Sequence, residues 1–318
     1  MAEHPVAGVD YPARWQDFLA WFPDDAPCFA YLERLRWGNG FACPRCGCQA
    51  AGQRGDGLRR CSDCRHTTSV TAGTIFHLTR TPLATWFAAV WYVTNQKNGV
   101  SALGLQRILG IDYRTAWTWL HKLRRAMVRP GRDQLCGTIE VDETYVGGPE
   151  QGVSGRETET KNIVVVAAEE NGRAIGRIRL GKVQDVSAAS LIPFVEEVIR
   201  PGATVHTDGW AAYDGLRAKG YKHKVTNVKR RARLAHELMP RVHRVAALLK
   251  RWILGTHQGS VSNKPLEYYL DEFTFRFNRR TSRSRGLLFY RLMEQVLQTG
   301  PAPYKAVVGG RQDAYHNI

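Results

Sequence analysis

A mixed α/β domain preceded by two smaller modules is the fold class that this sequence predicts, on three observations. The cysteines include two pairs of identical spacing, Cys43-Pro44-Arg45-Cys46 and Cys61-Ser62-Asp63-Cys64. Two helical stretches flank a tight turn at Gly110-Ile111-Asp112. From Gly137 onward, β-rich runs alternate with helical ones, and two of those runs carry an aspartate. The expected boundaries are a helical segment over 1–38, the cysteine module over 39–76, a helical region over 82–130 and the α/β domain over 136–298.

Composition narrows the function classes. The chain has 318 residues, 43% of them hydrophobic, enough for more than one core. Its formal net charge of +16 predicts affinity for polyanions, with nucleic acid first. No apolar run is long enough to span a bilayer, and Met1-Ala2-Glu3-His4-Pro5 does not read as a signal peptide. An odd number of cysteines, seven, clustered towards the N-terminus, favours metal binding in a reducing compartment over a disulfide framework. The expected location is cytoplasmic.

Trp15, Phe18, Leu19 and Phe22 share one face of a first helix, which Pro23-Asp24-Asp25 is expected to stop. Tyr31 to Trp37 reads as a second helix, with Arg34 and Arg36 facing phosphate or water. The cysteine pairs follow, fourteen residues apart. Each Cys-x2-Cys makes a knuckle, and Cys43, Cys46, Cys61 and Cys64 complete a tetrahedral thiolate set for structural zinc. Cys48 falls outside that spacing, and Cys28 and Cys136 read as buried free thiols.

Pro82 opens an apolar helix through Trp86, Phe87, Val90, Trp91 and Val93. Ser101 and Asp112 can cap two further helices, Ala102 to Leu109 and Tyr113 to Met127. The pair about its glycine turn reads as a helix-turn-helix whose second member offers Arg114, Lys122 and Arg125 to a major groove. A helical hairpin with a solvated basic face is the competing reading.

Gly137 to Gly148 reads as a strand in which Asp142 shares a face with Glu140 and Thr144, opposite Ile139, Val141 and Glu143. A mid-strand carboxylate is costly unless paired or metal-bound. Asn162 to Ala168 and Ala174 to Leu180 complete a meander, and Pro149 to Thr160 reads as an inserted loop. A helix, Ser187 to Ile199, leads to a strand ending in His206-Thr207-Asp208, with a fifth strand at Lys222 to Val225. This order is the one expected of an RNase H-like fold. Aspartates on neighbouring strands suit hard divalent cations, two of which can clamp a phosphoryl transfer. Lys229, Arg230 and Arg231 form a basic run suited to nucleic acid, and three helices follow: Arg241 to Ile253, Pro265 to Arg280 and Leu287 to Leu297.

Val141-Asp142-Glu143-Thr144-Tyr145, His206-Thr207-Asp208-Gly209-Trp210, Leu249-Lys250-Arg251-Trp252 and the stretch Tyr269 to Arg279, together with the cysteine pairs, resemble the DDE transposases of bacterial insertion sequences. The group is the one with an N-terminal zinc ribbon, numbered fifteen ninety-five. The resemblance runs from the first knuckle to about Arg280. It implies an RNase H-like catalytic domain, two Mg²⁺ or Mn²⁺ ions, terminal inverted repeats and target DNA as partners, and a homodimer or higher oligomer in the synaptic complex, associated with the bacterial nucleoid. Asp142 and Asp208 match the first two acids of the triad. Alignment on Leu248-Leu249-Lys250-Arg251 puts His243 third and Lys250 at the family's basic position. A histidine departs from the Glu or Asn usual there, so Glu237 stays open as the third group. A catalytically inactive zinc-dependent DNA-binding regulator and a structure-selective nuclease are the rival functions.

Overall fold

The protein is described by a computed structural model over residues 4–129, 131–148, 161–226, 235–258 and 265–308. The described residues form two compact units, one within Met1–Arg129 and Ser282–Val307, the other within Pro130–Thr281.

The first unit opens with α1 (Trp15–Trp21) and α2 (Asp25–Trp37). Pro23-Asp24-Asp25 does more than stop α1. Asp24 accepts the Ala26 N–H at 2.9 Å and caps α2, which therefore starts six residues before the expected Tyr31. Arg34 is exposed and donates to the Val9 and Asp10 carbonyls, whereas Arg36 is partly buried and donates to those of Ser69 and Val70.

Three short strands, β1 (Ala51–Gln53), β2 (Arg59–Cys61) and β3 (Thr67–Thr68), form an antiparallel sheet behind the cysteine knuckles. Cys43 Sγ lies 3.6 Å from Cys64 Sγ, and Cys46 Sγ 3.6 Å from Cys61 Sγ. All four sulfurs lie within 4.8 Å of one another. Zn–S bonds of about 2.3 Å make a tetrahedron with edges of about 3.8 Å, so this donor set fits a structural zinc. Gly47 (φ 75°) and Arg65 (φ 59°) follow the second cysteine of each knuckle in the left-handed region. The strain at Arg65 is of the order of 1 kcal/mol and persists because the knuckle closes around it.

Helices α3 (Leu83–Asn95), α4 (Ala102–Leu109) and α5 (Tyr113–Ala126) follow. Ser101 caps α4 through the Gly104 N–H, Gly110 ends it at φ 64°, and Asp112 caps α5 through the Arg114 and Thr115 N–H groups.

The second unit contains β4 (Thr138–Val146), β5 (Asn162–Asn171), β6 (Ala174–Val183), α6 (Ala188–Val198), β7 (Thr204–Thr207), a 3-10 turn (Ala211–Leu216) and β8 (Lys222–Val225). Among the described residues the sheet order is β6-β5-β4-β7-β8. β4, β5 and β6 are an antiparallel meander, whereas β7 and β8 run parallel to β4. The chain continues through α7 (Ala235–Leu238), α8 (Pro240–His257) and α9 (Leu266–Asn278). Val164, Val166 and Ala168 of β5 bury against Val242, Val245 and Leu249 of α8 and Leu270 and Phe273 of α9. Ile139, Val141, Val165 and Ala167 bury against Leu191, Val195 and Val198 of α6 on the other face. The sheet is thus covered on both sides, which is why β5 reads as an unbroken apolar run.

The stretch Tyr269 to Arg279, one of those that carry the resemblance, has a structural task. Tyr269, Leu270, Phe273 and Phe277 fill the core. Asn278 then acts as one rung of an absent strand on the edge strand β6. Its Oδ1 accepts the Ile178 N–H at 2.7 Å and its Nδ2 donates to the Ile178 carbonyl at 3.1 Å. Arg280 donates to the Ile175 and Gly176 carbonyls beside it. Together they satisfy an edge that would otherwise be open to pairing.

The last long helix, α10 (Arg285–Gln298), groups with the first unit, whereas the expected α/β domain ran over 136–298. Its fully buried Phe289 sits among the rings of Phe18, Phe22, Tyr31, Phe87 and Trp91, with centroids 5.6 to 6.1 Å away. A Cβ on Gly286 would lie 2.0 Å from the Pro12 carbonyl oxygen, so only glycine allows that approach. A short α11 (Tyr304–Val308) follows.

Two outcomes are expected. Cys61→Ser should lose zinc by elemental analysis while the α/β unit unfolds in urea as before, because metal energy is folding energy for the ribbon alone. Asn278→Ala should lower stability by about 1–3 kcal/mol in denaturant titration, the cost of leaving Ile178's two backbone groups unpaired.

Candidate active site

β4 lies at the centre of the site. Alternation along it puts Glu140, Asp142 and Thr144 on the α8 side and Ile139, Val141 and Glu143 on the α6 side, as read from sequence. The pairing Asp142↔Val166 and the opposite pairing Val141↔Ala167 fix this, because Val166 packs on α8 and Ala167 on α6. The parallel register Glu140↔His206 brings β7 alongside β4. Two residues further along each chain come Asp142 and, just past the end of β7, Asp208. Gly209 (φ 87°) turns the backbone there, and the Asp208 carboxylate accepts the Trp210 N–H at 2.9 Å.

His243 comes to the same place from α8. Its Nε2 lies 3.8 Å from Asp142 Oδ2, with both side chains only partly exposed. Glu237 is on α7 with an exposed side chain. Lys250 lies seven residues beyond His243, about two helical turns or about 10 Å along α8. Desolvation, and secondarily the charge of Lys161, hold its pKa below the ordinary lysine value. The structure brings His243 to Asp142, but Asp142, Asp208 and His243 are not among the described groups whose ligand atoms all lie within 4.8 Å of one another.

Beneath Asp142, on the α6 side, the buried Tyr213 hydroxyl donates to Glu143 Oε1. Burial raises the Tyr213 pKa well above 10, and the charges of Glu143, Asp142 and Asp208 raise it further. The phenol therefore stays protonated and donates to Glu143.

A second group on the α8 side was not legible as a site. Glu140, Glu170 and His206 place ligand atoms within 4.8 Å of one another. Arg241 already supplies their cation: its Nη1 donates to Glu140 Oε1 at 2.7 Å and to Glu170 Oε1 at 3.1 Å. The Arg241 and Val242 N–H groups donate to Glu140 Oε2 at 2.7 and 3.0 Å. His206, buried between them, bonds Thr226 Oγ1 through Nε2 at 2.7 Å. One sequence signal pointed here. Helix α8 starts at Pro240 behind Met239, with no Ser, Thr, Asp or Asn at its N-cap, so its cap has to come from elsewhere.

Of the residues read as DNA-binding, Arg114 is exposed at the first turn of α5 and stacks on the Tyr304 ring at 4.0 Å. Lys122 is partly buried beside Trp86, and desolvation lowers its pKa. Arg125 is partly buried and donates to the Pro301 carbonyl at 3.4 Å. Lys229, Arg230 and Arg231, like the loop 149–160, lie outside the described residues. Cys28 is buried as expected, and burial pushes its pKa to about 12. Cys136 is instead exposed, because its backbone N–H, not its thiol, is turned inward to Glu169.

Residues 134–278 match the ISXO2-like transposase domain, and residues 23–67 match the transposase zinc-ribbon domain. No curated protein matches the chain. The two matches cover the ribbon and the unit that carries Asp142, Asp208 and α8, in the order resemblance alone had suggested, and the chain belongs to the IS1595-type DDE transposases of insertion sequences.

Proposed function

We propose that this chain is the active transposase of its element, binding terminal inverted repeats and performing metal-dependent cleavage and strand transfer. The observation that carries the reading is the approach of His243 to Asp142 beside the end of the parallel strand that leads to Asp208. The sheet order, an antiparallel meander followed by two parallel strands, is that expected of an RNase H-like fold. In this reading Asp142, Asp208 and His243 hold two Mg²⁺ or Mn²⁺ ions. When bound, these ions activate the attacking oxygen and offset charge on the scissile phosphate.

The chain's own groups do the rest. Asp142 and Asp208 orient the cations from the rigid sheet, and His243 closes the set from α8. Lys250 neutralises a phosphate oxygen beside the site. Two successive displacements by oxygen nucleophiles need no covalent enzyme intermediate. The ribbon and the α4–α5 pair, as a helix-turn-helix, hold the element's ends, with Arg114 at the base-reading N-terminus of α5. Joining both ends to target DNA calls for a dimer or larger assembly. No helix of the described residues is long and apolar enough to cross a membrane.

Cleavage of labelled end DNA tests the reading. Asp142→Asn and Asp208→Asn should abolish cutting and leave end binding intact. His243→Ala should lower cutting by at least about 10-fold, while Glu237→Ala should cut like the parent. Mn²⁺ should outperform Mg²⁺, and His243→Glu should shift the preference towards Mg²⁺. Cutting that survives Asp142→Asn would overturn the catalytic assignment; end binding with no cutting by the parent protein would favour the regulator. Separately, Arg114→Ala should weaken end binding and reduce the slope of log affinity against log salt by about 1.

A further inference from the structure

We infer that Glu140 is a positioning residue: its carboxylate anchors the first turn of α8 and thereby sets His243 against Asp142. The inference rests on the catalytic reading of Asp142 and His243 given above.

The first turn of a helix has N–H groups with no partner inside the helix. In α8 the first position is Pro240, which has none, so Arg241 and Val242 present the first free donors. Both donate to Glu140 Oε2, at 2.7 and 3.0 Å. Glu140 is 1% exposed and lies on β4, about a hundred residues away in sequence. A strand-borne carboxylate therefore replaces the local cap, with the positive end of the helix dipole on its side. Arg241 folds its guanidinium back onto Oε1 of the same carboxylate and onto Glu170, and also donates to the Gly172 carbonyl at 2.7 Å.

Register makes this anchor relevant to the site. Glu140 and Asp142 are two residues apart on one face of β4, about 7 Å along the strand. Arg241 and His243 are two residues apart on α8. Pinning Arg241 and Val242 to Glu140 leaves His243 little freedom except over Asp142, where it is found. A helix end so fixed also holds Lys250 at a set distance. Glu140 and Arg241 thus form a clamp with its cation built in, with Glu170 and His206 beside it, and a metal there would have to displace Arg241.

Mn²⁺ affinity by electron paramagnetic resonance, without DNA, reads the anchor independently of turnover. Steady-state cleavage of end DNA reads it again. The double variant Glu140→Ala with Arg241→Ala removes the fully buried carboxylate and its guanidinium together. It should bind Mn²⁺ about 10-fold more weakly and lose about 10-fold in kcat with KM for DNA unchanged, the partly exposed Glu170 being left without its cation. Glu140→Gln keeps a carbonyl oxygen for the two N–H donors and should restore both values to within about 3-fold of the parent, where an outer-shell loss would cost 10-fold or more. Glu170→Gln should leave Mn²⁺ affinity as it is, because Glu170 accepts from the Arg241 guanidinium and not from the Arg241 and Val242 N–H groups that Glu140 holds.

Parent-like Mn²⁺ affinity and kcat in the double variant overturn the inference. So does a loss in Glu140→Gln of 10-fold or more, and so does weakened Mn²⁺ binding in Glu170→Gln, which would put a metal in the cluster itself. If the double variant does not unfold cooperatively, Glu140→Gln and Glu170→Gln decide by the same criteria. Should the parent protein bind Mn²⁺ in this pattern yet cut no end DNA, the catalytic reading fails while the anchor stands.

Discussion

The α/β unit depends on one buried carboxylate. Glu140 lies in the central strand, almost without solvent, and accepts three hydrogen bonds from the start of α8. An isolated charge at that depth would cost several kcal/mol. Here charge-assisted bonds, a guanidinium and a helix N-terminus offset that cost together. The same bonds decide where α8 begins and which of its residues overhangs Asp142. The longest described helix of the unit is thus fixed at its N-terminal end by a polar contact and along its length by an apolar one.

The apolar contact follows from alternation. β5 is apolar on both sides because both of its faces are covered, and its even and odd residues feed two separate cores. Asp142 and Glu140 interrupt only the α8-side layer, at the end where the helix starts. On the other side the Tyr213–Glu143 hydrogen bond supports the strand directly beneath Asp142. The site is therefore built on rigid elements from both faces, as catalytic groups require if they are to hold their geometry.

The outer edge of the sheet is handled by side chains instead of another strand. Asn278 and Arg280 satisfy β6 from the last turn of α9 and the residues after it. The chain then leaves that unit, and α10 joins the first one, where Phe289 completes an aromatic core that α1, α2 and α3 leave open. A pattern-based boundary placed α10 with the helices before it, since nothing in its own sequence tells which core its apolar face fills.

The sequence by itself determined everything that rests on local spacing. The repeated Cys-x2-Cys pairs prescribe the thiolate set, Ser101 and Asp112 prescribe two helix starts, and the two-residue period of a strand prescribes that Asp142 faces with Glu140, away from Glu143. The reason is that such features depend on residues a few positions apart, whose geometry the backbone fixes. Only the tertiary structure decided the rest. His243 was reached by alignment, and its approach to Asp142 depends on an anchor between residues 101 apart. The outward thiol of Cys136, the carbonyl partners of Arg34 and Arg36 and the unit of α10 likewise follow from distant backbone, because a side chain's partner is set by what folding brings to it. Glu140 shows the difference most plainly: its face was readable from the strand period, but its role exists only once α8 is laid across it.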